Sequence, residues 1–175
     1  MTSQKDAPAA FICDAMLGGL ARWLRAAGYD AEFEHGIDDG ELVARARARG
    51  TVLLSCDGPL FERTVIRTGQ VRSLQVPRQL GNVEALRFVL DSLGLSLRDP
   101  RCMACGGELT EVAKHTVMAE APPLAFRHCD RFWRCGRCGK LLWRGTHWRT
   151  IARRLADATS GHPPVPPETS KPQPG

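Results

Sequence analysis

Four cysteines in two pairs of equal spacing constrain this chain more than any other feature. Cys102 and Cys105 form one Cys-x-x-Cys-Gly turn, and Cys135 and Cys138 form a second after 29 intervening residues. Two residues between cysteines let one tight turn direct both sulfurs toward a single tetrahedral ion. Two such turns predict a closed four-thiolate Zn²⁺ site, which has no open position for water and is therefore structural.

The use of cysteine also indicates a cellular compartment. The alternative to zinc is a redox Cys-x-x-Cys motif, but such a motif is normally single. Cys13 and Cys56 lie in apolar strand-like runs and are predicted to be buried. The first residues show no secretory signal, and apolar runs of four or five residues are too short to cross a membrane. We therefore expect a cytoplasmic metal protein without a membrane partner.

Residues 9–97 alternate between strand-like and helix-like patterns. The predicted strands are 10–13, 29–33, 51–55 and 71–76, and the predicted helices are 16–27, 40–49, 59–68 and, with Asn82 as its cap, 83–93. Short apolar strands that alternate with amphipathic helices indicate an α/β domain whose parallel sheet is flanked by helices.

The remainder of the chain has a different composition. Residues 98–158 are predicted to form a small zinc ribbon, with strand-like pieces at 111–118 and 140–143 and a C-terminal helix from 147 to 158. Residues 159–175 contain six prolines and are predicted to be a disordered tail.

Charge is distributed unevenly between the two parts. Residues 1–100 contain 12 basic and 13 acidic side chains, whereas residues 101–175 contain 12 basic and 6 acidic ones. A basic second part is typical of contact with a polyanion such as RNA, although solubility alone is an alternative explanation.

Three aspartates stand where a parallel α/β fold places its functional crevice. Asp14 and Asp57 each follow a predicted strand, and Asp39 precedes a predicted helix as its N-cap. Carboxylates gathered at one sheet edge repel one another unless a divalent cation such as Mg²⁺ or Mn²⁺ neutralises them. Such an ion can activate water for phosphodiester hydrolysis. The alternative is that each acid only caps the helix or turn that follows it.

Two groups of arginines are candidates for RNA contact. Arg22 and Arg25 are placed on the exposed side of the first helix, close to Asp14. The last helix has a basic face, formed by Arg149, Arg153 and Arg154. Basic residues among tryptophans favour single-stranded or looped RNA, whereas Trp133 and Trp143 are interpreted as core of a thin ribbon.

Several runs of the chain together resemble one known family. These are Phe11 to Arg25, Asp38 to Leu42, Leu53 to Asp57, the cysteine ribbon, Phe132 to Cys135 and Trp143 to Trp148. They resemble the PIN-like RNase family named from the C-terminal part of the Mut-seven exonucleases, over about residues 10–155. The resemblance implies a PIN-like α/β fold fused to a zinc ribbon, and metal-dependent ribonuclease activity with Asp14, Asp39 and Asp57 at the acidic positions.

The chain departs from that family's pattern at two points. Ser55 and Cys56 stand where the family usually has Thr-Arg, so a possible phosphate contact is missing. PIN-like sites often use a fourth acid, for which Glu62 is the candidate, although a solvent-facing helix position is the favoured interpretation of that residue.

The function predicted from the sequence is a Mg²⁺- or Mn²⁺-dependent ribonuclease whose structural zinc ribbon contributes RNA contacts. Two alternatives stay open at this point. One is a non-catalytic module that binds RNA or a ribonucleoprotein, and the other is an adaptor that binds a protein through the ribbon.

Overall fold

The computed structural model describes residues 9–160 and contains seven strands and seven α-helices within that range. In chain order the elements are β1 Phe11–Cys13, α1 Gly18–Ala26, β2 Ala31–Phe33, α2 Asp39–Arg49, β3 Val52–Ser55, α3 Gly58–Phe61, α4 Thr64–Arg67, β4 Ser73–Gln75, α5 Asn82–Leu93, β5 Leu109–Val112, α6 Pro123–His128, β6 Phe132–Cys135, β7 Leu141–Trp143 and α7 Thr146–Thr159. A 3₁₀ turn occupies Lys114–Val117. Most of the predicted tail lies outside the described residues.

The first four strands form one parallel sheet in the order β2-β1-β3-β4. Helices follow the strands, so the predicted α/β fold with a parallel sheet flanked by helices is confirmed. The connection from β1 leads to its neighbour β2 on one side of the sheet, whereas the connection from β3 leads to its neighbour β4 on the opposite side. This reversal of direction is a topological switch point, and it opens a crevice at the carboxyl ends of β1 and β3.

Side-chain alternation along the strands explains why both faces of the sheet are covered. Phe11 and Cys13 of β1 point into a large cluster with α1 and α5, whereas Ile12 points into a second cluster with α2. All three residues are at most 1% exposed. Strands buried on both faces need continuous apolar runs, which this part of the sequence supplies.

The second sheet is small and antiparallel, in the order β5-β6-β7. Its core consists of Val117, Ala121, Phe132 and Leu141. The predicted strand at 111–118 is wrong beyond Val112, because the chain turns there into the 3₁₀ segment. Strand β6 and helix α6 were not predicted as elements.

Helix α7 buries its apolar face against the parallel sheet domain. Its buried residues Ile151, Leu155 and Ala158 join the large cluster of the parallel sheet domain, which also contains Leu86 and Val89 of α5. The sequence grouped this helix with the ribbon at 98–158, but its packing completes the core of the first half.

The other boundaries differ in detail. The predicted helix at 59–68 is two short helices, because Arg63 adopts an extended conformation with ψ 133°. No helix among residues 9–160 combines the length and apolar character needed to cross a bilayer.

Candidate functional site

Asp14 is the acid most firmly held at the switch point. It follows β1, is 8% exposed and bridges to β3 through its own N–H, which donates to Leu54 O at 3.0 Å. Its Oδ1 accepts from the Met16 N–H at 2.9 Å, while its Oδ2 accepts from Ser55 Oγ and from the Cys56 N–H. A carboxylate has about four lone-pair sites, so one position on Oδ1 is left for a further ligand.

Asp57 is connected to Asp14 through Ser55. The buried Ser55 hydroxyl donates to Asp14 and accepts from the Asp57 N–H at 2.9 Å. Asp57 occupies the N-cap position of α3, yet its side chain makes no capping hydrogen bond. The carboxylate is therefore available for a role other than capping.

Asp39 approaches the same sheet edge from the start of α2. The prediction that Asp39 is the N-cap is wrong, since Asp38 has the extended conformation and accepts from the N–H groups of Gly40 and Glu41. Asp39 is the first helical residue, and its carboxylate lies 3.8 Å from the guanidinium of Arg63. Its side chain, 47% exposed, is free of a capping role.

The three carboxylates do not close into a ligand cluster in this structure. Across residues 9–160, the four cysteines are the one group of three or more His, Cys, Asp or Glu side chains close enough together to hold an ion. The donor chemistry at the switch point nevertheless fits a hard cation, because oxygen ligands suit Mg²⁺ and Mn²⁺. Glu62 directly follows α3 and is exposed to solvent, which agrees with its interpretation as a solvent-facing residue rather than a fourth acid of the site.

Arg78 is a residue of this edge that sequence reasoning missed. It follows β4, and its Nη2 lies 3.2 Å from Asp57 Oδ1 while its Nε donates to Cys56 O at 3.0 Å. A guanidinium therefore lies beside the third aspartate although position 56 is cysteine. A signal was present in the sequence, because Pro77-Arg78 directly follows a predicted strand and so belongs to the same sheet edge.

Cys56 itself is not accessible for chemistry. Its side chain is buried, and burial followed by the neighbouring Asp14 charge raises the pKa of the Cys56 thiol. Cys13 is fully buried, and burial raises its pKa to about 12. Both cysteines behave as small core residues, as predicted.

The four-cysteine cluster is preformed. All four sulfurs lie within 4.8 Å of one another, with Cys102 Sγ 3.8 Å from Cys138 Sγ and Cys105 Sγ 3.4 Å from Cys135 Sγ. Tetrahedral zinc–sulfur bonds of about 2.3 Å require sulfurs roughly 3.8 Å apart. The cluster can therefore hold a zinc ion, and the ribbon geometry is that of a closed structural site.

The turns that carry these thiols affect their ionisation unequally. Gly106 and Gly139 have φ of 80° and 71°, a left-handed conformation that glycine adopts without strain. Burial raises the pKa of Cys102 and brings the pKa of Cys105 to about 12. Burial also raises the pKa of Cys135, but the N–H groups of Cys138 and Arg137, together with the thiols of Cys105 and Cys138, outweigh burial and bring that pKa to about 6.

The prediction that Arg25 is exposed is wrong. Arg25 is 6% exposed, and its guanidinium donates to Ala31 O in the parallel sheet domain and to Met103 O and Ala104 O in the first cysteine turn. Arg137 of the second turn binds Asp30 at 2.7 Å. The two arginines therefore connect the two Cys-x-x-Cys turns to the parallel sheet domain. Because its guanidinium is buried in these contacts, Arg25 is not free to contact RNA.

The remaining predicted arginines are on the surface. Arg22 is exposed on α1, Arg149 and Arg153 are exposed on the side of α7 opposite its buried residues, and Arg154 is exposed at the edge of its buried face. Within residues 9–160 none of these four forms an ion pair, so their charges are available to an external anion.

A family model described as the Mut7-C RNAse domain matches residues 9–155. That range covers both the parallel sheet with its aspartates and the ribbon with its cysteines. No curated protein and no solved structure matches the chain significantly.

Proposed function

Since this chain belongs to the Mut7-C RNAse domain family, we propose that it is a Mg²⁺- or Mn²⁺-dependent ribonuclease that hydrolyses RNA phosphodiester bonds. The observation that carries the proposal is the pairing of Asp14 and Asp57 around the buried Ser55 hydroxyl at the switch point of the sheet. Open parallel sheets bind their ligands in that crevice.

Asp14, Asp39 and Asp57 are the residues that hold the catalytic Mg²⁺ or Mn²⁺. Two of them have no capping duty, and the third keeps one carboxylate position free. When bound, the ion supplies an activated water and stabilises charge that develops on the phosphate. The repulsion among three carboxylates favours cation binding, because the ion removes it.

Arg78 and Arg22 orient the substrate. Arg78 lies beside Asp57 with its side chain 61% exposed, so it can exchange part of its contact with Asp57 for a phosphate oxygen of RNA. Arg78 in this way supplies the phosphate contact that the family's usual arginine would make at the position occupied here by Cys56. Arg22 extends the cationic surface from α1, close behind Asp14.

The second half contributes stability and RNA contacts. The four cysteines hold a structural Zn²⁺ ion, and Arg149, Arg153 and Arg154 bind the RNA backbone. A cytoplasmic location agrees with this role, since reduced thiolates are kept in that compartment.

A non-catalytic RNA-binding module is the second candidate. It is supported by the absence, among residues 9–160, of a carboxylate cluster close enough to hold an ion, and by Cys56 in the position where the family usually has arginine. Such a module would keep the arginine surfaces and lose only the hydrolysis step.

Cleavage assays with two neighbouring aspartate variants separate these candidates. Purified protein is incubated with single-stranded and structured RNAs in Mn²⁺, alongside Asp39→Asn and its matched control Asp38→Asn. Asparagine still caps a helix, so Asp38→Asn preserves α2. We expect Asp39→Asn to lose most of the cleavage and Asp38→Asn to retain it. Binding of RNA without cleavage by the parent protein, whatever the metal, would favour the second candidate.

A further inference from the structure

A pocket of about 360 Å³ lies between the ribbon sheet, the connection 99–103 and the start of α7. Three tryptophans and three arginines line it, namely Trp133, Trp143, Trp148, Arg101, Arg131 and Arg144. Its volume is near the lower end of the roughly 300–1,000 Å³ typical of small-molecule sites. The pocket therefore has room for a single flat group and not for a helix or a duplex.

The ribbon sheet is apolar on both faces, which is unusual for a sheet with one small core. Val112, Phe132 and Trp143 are paired across the strands and pack toward the ribbon core. Glu111, Trp133 and Leu142 are paired on the other face, where the pocket lies. Within the described part of the chain, neither Trp133 nor Leu142 packs into any of the three hydrophobic clusters. Trp133 is therefore not part of the ribbon core, contrary to its sequence-based interpretation, and its ring lies instead beside the guanidiniums of Arg131 and Arg144, at 5.2 and 4.8 Å.

One arginine of the pocket is available to a ligand. The Arg144 guanidinium lies 4.8 Å from the ring centre of Trp133 and 5.6 Å from that of Trp148. Arg144 has no carboxylate partner within residues 9–160, whereas Arg131 is held by Glu111 at 2.5 Å and Arg101 lies 3.5 Å from Glu108.

The charge of the pocket selects among ligands. Asp99 is the acid among its lining residues, against three arginines. A cationic ligand such as a methylated lysine would be repelled by Arg144, whose charge no carboxylate within residues 9–160 offsets. A ligand that has both a flat ring and a negative charge is favoured, because the tryptophan rings offer stacking surfaces and Arg144 offers a charge-assisted hydrogen bond.

We propose that this pocket binds one unpaired nucleotide of RNA, with its base against the tryptophan rings and an adjacent phosphate on Arg144. The proposal rests on the proposed function in that RNA is the substrate. It adds a selection rule: the protein prefers RNA with single-stranded or looped nucleotides, since every base of a blunt duplex is already stacked.

The test compares two RNAs of the same sequence. The full zinc-loaded chain is titrated, without added Mg²⁺ or Mn²⁺, into a fluorescent single-stranded 10-mer and into its blunt duplex, and the anisotropy gives each Kd. The variants are Trp133→Leu and Arg144→Gln. Arg127→Gln is the matched control, because Arg127 is an exposed arginine of α6 outside the pocket.

We expect the parent to bind the single strand more tightly than the duplex. Trp133→Leu should weaken single-strand binding by about five- to 150-fold, the range for losing one stacked base, with duplex binding unchanged. Arg144→Gln should weaken the single strand as well, and Arg127→Gln should change either Kd by less than about twofold. Zinc content checks the fold of each variant, and Arg144→Gln provides the test if Trp133→Leu loses its zinc.

The experiment gives different results if the nucleotide pocket is wrong and if the proposed ribonuclease function is wrong. A parent that cleaves RNA while both pocket variants bind the single strand as the parent does would overturn the pocket alone. A parent that binds neither RNA would overturn both proposals. Selective single-strand binding that both variants lose, without any cleavage, would keep the pocket and contradict the nuclease.

Discussion

The two ligand groups of this protein are built in opposite ways. The thiolate cluster is complete in the described structure, with four sulfurs within 4.8 Å, whereas the three aspartates do not converge. Each cysteine pair belongs to a single turn, so only two turns need to meet. Each aspartate belongs to a different strand–helix junction, and like charges separate unless a cation holds them together. The cysteines are therefore preformed as a site, whereas we expect the aspartates to converge only when an ion binds.

The two halves also differ in how they are stabilised. The parallel sheet domain has large clusters on both faces, while the ribbon core has four buried residues. A core of that size supplies little burial energy, so we expect the ribbon to depend on a metal ion at its four cysteines. Helix α7 nevertheless packs on the first domain, and Arg25 and Arg137 attach the metal turns to it.

The largest expected effect follows removal of one thiolate. Structural zinc contributes about 10–16 kcal/mol of apparent binding free energy in small zinc domains. We expect Cys135→Ser to lose zinc and to unfold residues 102–144, while the amides of β1 and β3 stay protected in hydrogen exchange. Cys129→Ser, which changes a half-buried thiol outside the cluster, should keep its zinc. Metal analysis that finds no zinc in the parent, purified under reducing conditions, would contradict the prediction.

The next effect tests where α7 belongs. Leu155 is 6% exposed in the large cluster, so Leu155→Ala should lower the free energy of unfolding of the parallel sheet domain by about 2–5 kcal/mol. This loss is measured by denaturant unfolding and by the hydrogen-exchange protection of the amides of β1 and β3. Ala156→Gly, an exposed change on the same helix, should cost only about 1 kcal/mol. Equal stability of the β1 and β3 amides in Leu155→Ala and the parent would place α7 with the ribbon instead.

A smaller effect distinguishes two arginines of α1. Arg25→Ala removes charged hydrogen bonds to Ala31, Met103 and Ala104, each worth about 1.5–3 kcal/mol at most, and their effects overlap. We expect a loss of about 3 kcal/mol and faster release of zinc to a chelator. Arg22→Ala should change stability by less than about 0.5 kcal/mol but weaken RNA binding. The reverse pattern would show that Arg22 is the structural residue.

The smallest effect concerns the salt dependence of RNA binding. Arg149 and Arg153 are exposed and one turn apart on α7. The Arg149→Ala, Arg153→Ala double variant should flatten the slope of log K against log salt by roughly 1.4, at about 0.7 for each single-strand phosphate contact. Titrations at four salt concentrations measure this slope. An unchanged slope would show that the RNA backbone binds to a surface other than this face of α7.

The sequence predicted most where the signals were local. The cysteine spacing indicated the thiolate cluster, and the strand–helix alternation indicated the parallel sheet, because both patterns repeat over a few residues. Asp38 and Asp39 could not be told apart, since either residue type caps a helix and only backbone conformation decides. Arg25 was predicted to be exposed because arginines are seldom buried. That prediction was wrong because the carbonyl oxygens that accept hydrogen bonds from its guanidinium lie 78 and 79 residues away in the chain, where no local pattern indicates them.

Tertiary contacts also explain what was missed at the site. Arg78 meets Asp57 only because β4 lies next to β3, a pairing that no local pattern reveals. The packing of α7 against α5 is equally non-local, because an amphipathic helix shows which face is buried but not against which partner.

Titration with Mn²⁺ tests whether the three aspartates form a divalent cation site. Zinc-loaded protein is titrated with Mn²⁺, and free Mn²⁺ is measured by electron paramagnetic resonance for the parent, Asp57→Asn and Asp38→Asn. Asp57 makes no capping hydrogen bond, so its replacement should leave α3 intact. We expect saturable Mn²⁺ binding in the parent and in Asp38→Asn, and its loss in Asp57→Asn at unchanged zinc content. Equal Mn²⁺ binding by the parent and Asp57→Asn, or none by the parent, would contradict the account.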